Sequence, residues 1–102
     1  MSAGRVDELR RQIDALDARL VELLNRRAAC ALEIGRLKEG SGEPVYQPAR
    51  EALVLTRVTA CNQGPLDDQA ISRLFERIID EAHRLERLAG DGGGQPRERK
   101  ER

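Results

Sequence analysis

A chain of 102 residues makes one domain at most, and 39% hydrophobic against 35% charged residues is the balance of a water-facing protein with no membrane span. The 18 Lys and Arg cancel the 18 Asp and Glu, so no net field draws nucleic acid or anionic lipid, and any anion site must come from local placement. Tyr46 and Phe75 are the whole aromatic inventory, which calls for an aliphatic core and leaves a single-strand nucleic-acid binder without stacking platforms.

The first element is predicted from Val6 to about Lys38, a stretch with no Pro and no Gly before Gly35. Its apolar positions are Val6, Leu9, Ile13, Leu16, Leu20, Leu23, then position 27, then Cys30, Ile34 and Leu37. Gaps of three and four in alternation are the spacing of a helix that buries a narrow seam against other helices. Its 33 residues would span about 50 Å at about 1.5 Å per residue. A compact globule of this length has a diameter of only about 33 Å. A partner chain covering the overhang is therefore expected, giving an intertwined homodimer, with a free-standing coiled coil as the alternative.

Glu39-Gly40-Ser41-Gly42-Glu43-Pro44 reads as a helix stop and a loop. Pro48 suits a first helical turn, so the second helix is predicted from Pro48 to Asn62, with Leu53, Val54, Val58 and Cys61 facing inward. Asn62-Gln63-Gly64-Pro65 ends it. A third helix starts near Asp67 or Asp68, residues suited to an N-cap and first turn. It presents Ile71, Leu74, Phe75, Ile78, Ile79, Ala82, Leu85 and Leu88 on one face, and Gly90 stops it. The domain boundaries expected are thus a disordered N-terminus at 1–4, a helical domain at 5–89 and a disordered, Gly-rich and charged tail at 90–102. Cys30 and Cys61 lack CxxC grouping and are expected to be reduced, buried thiols. With His83 as the one histidine, no metal site is expected. Arg5, Asp7, Glu8, Arg10 and Arg11 interrupt any early apolar run, so no signal peptide is read and the cytoplasm is the expected location.

Several places stand out from the pattern. Arg27 occupies a seam position that every other repeat gives to an apolar residue. A buried guanidinium meets either a protein carboxylate, here Glu22 or Glu33, or an anionic ligand. Lys38 lies eleven residues on, within about 20° of the same helix face and roughly 16 Å along the axis. The two cations can converge on a small dianion, or Lys38 is ordinary surface. Arg10 lies about 25 Å from Arg27 and some 100° around the helix. It is surface charge, or it reaches a partner's site in an antiparallel dimer. At the start of the second helix Arg50 and Glu51 either cap and pair locally or present a donor and an acceptor to a substrate; the helix dipole alone explains an acid there. Glu86 follows Ile79 and Ala82 by seven and four residues. It is either half exposed, or raised in pKa and protonated, able to donate a hydrogen bond. His83 reads as surface or boundary and is assigned no chemistry.

Taken together these residues resemble the all-helical class of chorismate mutases. The matching signature is Leu9-Arg10, Ile13, Leu16-Asp17, Leu20, Leu23-Leu24, Arg26-Arg27, Ile34-Gly35, Lys38, Val45-Tyr46-Gln47-Pro48 with Arg50-Glu51, Gly64-Pro65-Leu66, Ile71, Leu74-Phe75 and Ile78-Ile79. The resemblance implies a three-helix chain whose long first helices cross in a dimer with two equivalent sites. It implies that Arg10 is lent across the interface, that Arg27 binds substrate carboxylate, and that Lys38 contacts the ether oxygen and the enolpyruvyl carboxylate. Arg50 would support the anion site, Glu51 would accept from the ring hydroxyl, and Glu86 would be the second donor to the ether oxygen. Gln47 stands where many members have aspartate, which is harmless if its backbone is what matters. Ala82 stands where a serine often binds carboxylate, so one hydrogen bond is missing. The implied reaction, chorismate to prephenate, is a unimolecular Claisen rearrangement that needs no cofactor, nucleophile or metal. It needs a dicarboxylate held folded and negative charge stabilised on the ether oxygen. Arginines suit the first task through bidentate contacts. Isochorismate pyruvate lyase, an aminodeoxychorismate mutase, and a non-catalytic helical dimerisation or regulatory module for a shikimate-pathway enzyme are the competing readings.

Overall fold

The computed structural model describes residues 2–41 and 47–92. It holds three helices in chain order, α1 (Ser2–Ser41), α2 (Pro48–Ala60) and α3 (Asp68–Gly92), and no strand among the described residues. The all-α class and the very long first helix are as the periodicity predicts. Residues 42–44 of the predicted loop, Val45 and Tyr46 after it, and the predicted tail from 93 onward lie outside the described residues. The chain divides into two units, Met1–Cys30 and Ala31–Arg102.

The first unit is the leading part of α1. That helix has 40 residues, about 60 Å at about 1.5 Å per residue. It begins at Ser2 instead of Val6, so Ser2–Gly4 are helical and not a separate N-terminal segment. No proline lies in the stretch to stop it, and an Arg5–Glu8 pair at 3.7 Å braces the first turns. The seam predicted to be buried is open in the single chain: Val6, Leu9, Ile13, Leu16, Leu20 and Leu23 are between 40% (Val6) and 59% (Leu16) exposed. One stripe on one helix has nothing of its own to pack against. Cys30 is free, as expected, but exposed, because it belongs to that same stripe.

In the second unit α1 carries on to Ser41, past the predicted stop at Gly40. Ala31, Leu32, Gly35 and Lys38 are partly covered, at the i, i+4, i+7 spacing of one helix face. α2 and α3 pack against each other. Gln47 is extended (φ −133°, ψ 96°) and its carbonyl accepts from the amides of Arg50 (3.0 Å) and Glu51 (3.2 Å), with Pro48 at the first position. Proline fits there because the first amides of a helix have no internal acceptor.

The covered side of α2 is Glu51, Val54, Leu55, Val58 and Thr59, and not the predicted set. Leu53 is 42% exposed and Cys61 is exposed. Val54 and Val58 hold the inward line, and the residues one step on, Leu55 and Thr59, share it. Thr59 can be partly buried because its hydroxyl donates to the Leu55 carbonyl at 3.0 Å.

The helix ends at Ala60, and the turn that follows is pinned by Asn62, whose amide nitrogen donates to the Leu66 carbonyl and to Asp68 Oδ1, both at 2.8 Å. Asn62 Oδ1 accepts from the Gly64 amide at 3.1 Å. Gly64 has φ +74°, a conformation that favours glycine. Asp67 caps α3 by accepting from the Ala70 amide at 2.8 Å, the N-cap to N3 pattern.

On α3 the predicted face is covered at Ile71, Phe75, Ile78, Ile79, Ala82 and Leu85. Leu74 and Leu88, at its edges, are 53% and 54% exposed. Ile79, 7% exposed, is the one buried residue among the described residues. The helix passes Gly90 and ends at Gly92, so Gly90–Gly92 are not part of the tail. Glycine weakens a last turn without forbidding it.

Candidate functional site

Three acid-base side chains converge where α2 begins and α3 passes its midpoint. Glu51 sits in the first turn of α2, directly after the turn set by Gln47 and Pro48. From α3, His83 reaches it: His83 Nε2 lies 2.7 Å from Glu51 Oε2, with each side chain about three-quarters covered. That oxygen is buried and accepts no hydrogen bond, so the ring N–H lies off the line of a linear bond, and the contact is a close approach that becomes an ion pair when the ring carries a second proton. Nε2 must carry a hydrogen to face a carboxylate oxygen at such range.

Glu86 follows His83 by three residues on the same helix and is partly covered. Its Oε1 is buried with no hydrogen-bond partner. Burial pushes its carboxyl above the usual carboxylate range, and the His83 charge offsets part of that rise. Of the two states open to Glu86 from the sequence, the structure favours the raised one. Gly35 of α1 stands beside it: a Cβ on that glycine would be 3.9 Å from Glu86 Cγ. Lys38 is partly covered and lies three residues further along the same face of α1. Ala82 is partly covered on α3 and brings no polar atom, whereas Arg50 is exposed at the start of α2.

Arg10 and Arg27 belong to the Met1–Cys30 unit. Arg10 is exposed; Arg27 is partly covered, unlike all the described side chains before it. The carboxylates that could have neutralised Arg27 are committed elsewhere, Glu22 to Arg26 at 3.9 Å and Glu33 to Arg36 at 2.6 Å. Of the residues singled out from sequence, the structure thus brings together Glu51 and Glu86, through His83, and sets Glu86 against the face of α1 that carries Lys38. His83 is the member sequence reasoning missed. Its signal was its place one turn after Ile79 and one before Glu86 on the packed face of α3. Among the described residues no group of three His, Cys, Asp or Glu could hold a metal, and no helix is long and apolar enough to cross a membrane.

Comparison with known proteins gives this arrangement its context. The chain is 42% identical over 83 residues to a bifunctional chorismate mutase/prephenate dehydratase of Pseudomonas aeruginosa, covering 76% of this chain and 23% of that protein. It is 36% identical over 87 residues to a 4-amino-4-deoxychorismate mutase of Streptomyces venezuelae, covering 83% and 84%. The chain spans about a quarter of the length of the bifunctional relatives it matches. Among solved structures, chorismate mutase (form II) of Thermus thermophilus superposes with a TM-score of 0.79 at 37% identity, covering 81% of this chain and 94% of that one. Residues 9–87, which hold α2, most of α1 and α3, and every site residue named above, match the family model for chorismate mutase type II, and the chain belongs to that family.

Proposed function

We propose that the protein is a chorismate mutase, catalysing the unimolecular rearrangement of chorismate to prephenate for phenylalanine and tyrosine biosynthesis. The observation that carries this reading is Glu86. It is a partly covered carboxyl with a raised pKa, whose Oε1 is buried without a hydrogen-bond partner, against the face of α1 that bears Lys38. A protonated Glu86 can donate to an oxygen that becomes negative as its bond stretches, and Lys38 supplies a cation for the same atom. Such donors act because they are in place before charge develops. No proton need leave the substrate, and no covalent intermediate is required.

Arg27 binds one substrate carboxylate, which accounts for a partly covered arginine whose neighbouring acids are paired elsewhere. Lys38 meets the enolpyruvyl carboxylate as well as the ether oxygen. Glu51 accepts from the ring hydroxyl, Arg50 supports the anion site, and Gln47 contributes through its main chain at the start of α2. Ala82 leaves one carboxylate contact unmade, so substrate holding falls more heavily on the cations. The working form is a homodimer in which a second copy covers the open seam of α1 and supplies Arg10 to the site. Burying six aliphatic side chains per helix in this way is favourable by about 1.5 kcal/mol or more for each that becomes fully covered. The enzyme works in the cytoplasm, without cofactor or metal, on a small-molecule substrate; nucleic acid and membrane play no part.

A second reading, an amino-substituted chorismate as substrate, draws on the Streptomyces venezuelae relative, which matches along most of its length. Purified protein should remove the absorbance of chorismate and yield a product that acid converts to phenylpyruvate. Arg27→Ala should abolish that turnover while leaving the dimer intact by gel filtration. A wild-type protein that leaves chorismate unchanged, or that releases pyruvate from isochorismate instead, would overturn the assignment.

A further inference from the structure

The pairing of Glu51 with His83 has a consequence for which ring substituent the site accepts. Glu51 by itself is a carboxylate in a helix first turn, and a bare carboxylate in a partly closed pocket attracts an ammonium more strongly than a hydroxyl. It is not by itself, because an imidazole nitrogen bearing hydrogen lies 2.7 Å from its buried oxygen. Both groups are about three-quarters covered, so solvent does little to screen the ring from what lies next to the carboxylate. The backbone holds both ends of the pair. Glu51 is fixed by the Gln47 carbonyl that starts α2, and His83 lies one turn beyond Ile79, the buried residue of α3.

We propose that His83 is a specificity-determining residue: its ring, held 2.7 Å from Glu51, offsets the carboxylate charge when it carries a second proton, so the subsite takes a ring carrying a neutral hydroxyl and disfavours one carrying an ammonium at the same position. This rests on the chorismate reading above, in which Glu51 meets the ring hydroxyl. His83 occupies one carboxylate oxygen and leaves the other as acceptor. A hydroxyl needs only that acceptor. An ammonium needs the uncompensated charge, and it would also stand close to a second cation. Glu86, one turn away on the same helix, feels the same ring charge, so His83 acts on both acids of the site.

The test compares kcat/KM on chorismate and on 4-amino-4-deoxychorismate for the full chain and two variants. His83→Gln keeps a donor and loses the cation; His83→Lys keeps a cation. The wild type should prefer chorismate. In His83→Gln the ratio of the two kcat/KM values should move about tenfold toward the amino substrate, mainly through KM, while His83→Lys should hold the wild-type preference. A ratio taken on one preparation does not depend on the fraction folded, so a partly unstable variant still reports. Wild-type turnover of chorismate with an unchanged ratio in His83→Gln would overturn this proposal alone. A wild type that prefers the amino substrate would overturn it too, and a wild type inert toward both would remove the mutase reading together with it.

Discussion

Replacing Glu86 by glutamine exchanges a donor that must hold a proton for one that donates at every pH. The carboxyl has a buried Oε1 without a partner, and desolvation raises its pKa, with the His83 charge pulling the other way. For an acid raised in the folded state, the protonated form is the stabilised one. Its contribution is complete below the unfolded carboxylate pKa and is lost as pH rises through the higher folded value. If the protonated form is the catalytic one, kcat of the wild type should be level on the acid side of that value. Above it, kcat should fall roughly tenfold per pH unit, the limit for a single essential proton.

Glu86→Gln should lack this alkaline limb. Glu86→Leu, which fills the same space without a donor, should lower kcat by about 10² to 10³, the usual loss for one donor to a developing oxyanion. Initial rates of chorismate consumption, measured across a pH series at constant ionic strength, decide the matter. Urea midpoints at alkaline pH give an independent check, since Glu86→Gln no longer buries a charge there and should be the more stable protein. Superimposable pH profiles for wild type and Glu86→Gln would refute the reasoning, because then no step would depend on the Glu86 proton.

Gly35→Ala should raise the thermal midpoint, because the added Cβ meets Glu86 Cγ at an ordinary 3.9 Å and alanine is favoured over glycine in a helix by about 1 kcal/mol; a drop in circular-dichroism midpoint would mean that the space beside Glu86 is needed empty. Ile79→Ala removes the one buried side chain among the described residues and should cost about 2 to 4 kcal/mol in a urea titration. Arg10→Ala and Lys38→Ala should each be inactive alone, yet refolding the two together should restore about a quarter of wild-type activity. Half of the dimers are then mixed, and each mixed dimer has one of its two sites intact, given a symmetric interface. No recovery in the mixture would show that Arg10 does not act across chains.

Each helix was readable because its apolar residues repeat at helical spacing and because Pro48 and Asp67 mark where a helix can start; the bounds slipped at Gly40 and Gly90, where glycine permits one more turn. Arg27 and Glu86 were readable for the opposite reason, since a charge on or beside an apolar stripe contradicts the local rule and calls for a partner or a ligand; Lys38 was readable from its spacing to Arg27, and Glu51 from the family resemblance. His83 contradicted nothing: a histidine at the edge of a packed face satisfies its own helix. What gives it a role is Glu51, thirty-two residues earlier, and only the docking of α2 on α3 closes that gap. The same docking covers Leu55 in place of the predicted Leu53. Helical periodicity thus shows which residues share a face, but not which atoms lie opposite. Much of the chemistry here resides in those facing pairs. The seam of α1 carries the point furthest, because Val6 to Leu23 specify an apolar stripe as clearly as any stretch of the chain and remain exposed. In the proposed homodimer their cover comes from a second copy, which one chain's periodicity can call for but cannot contain.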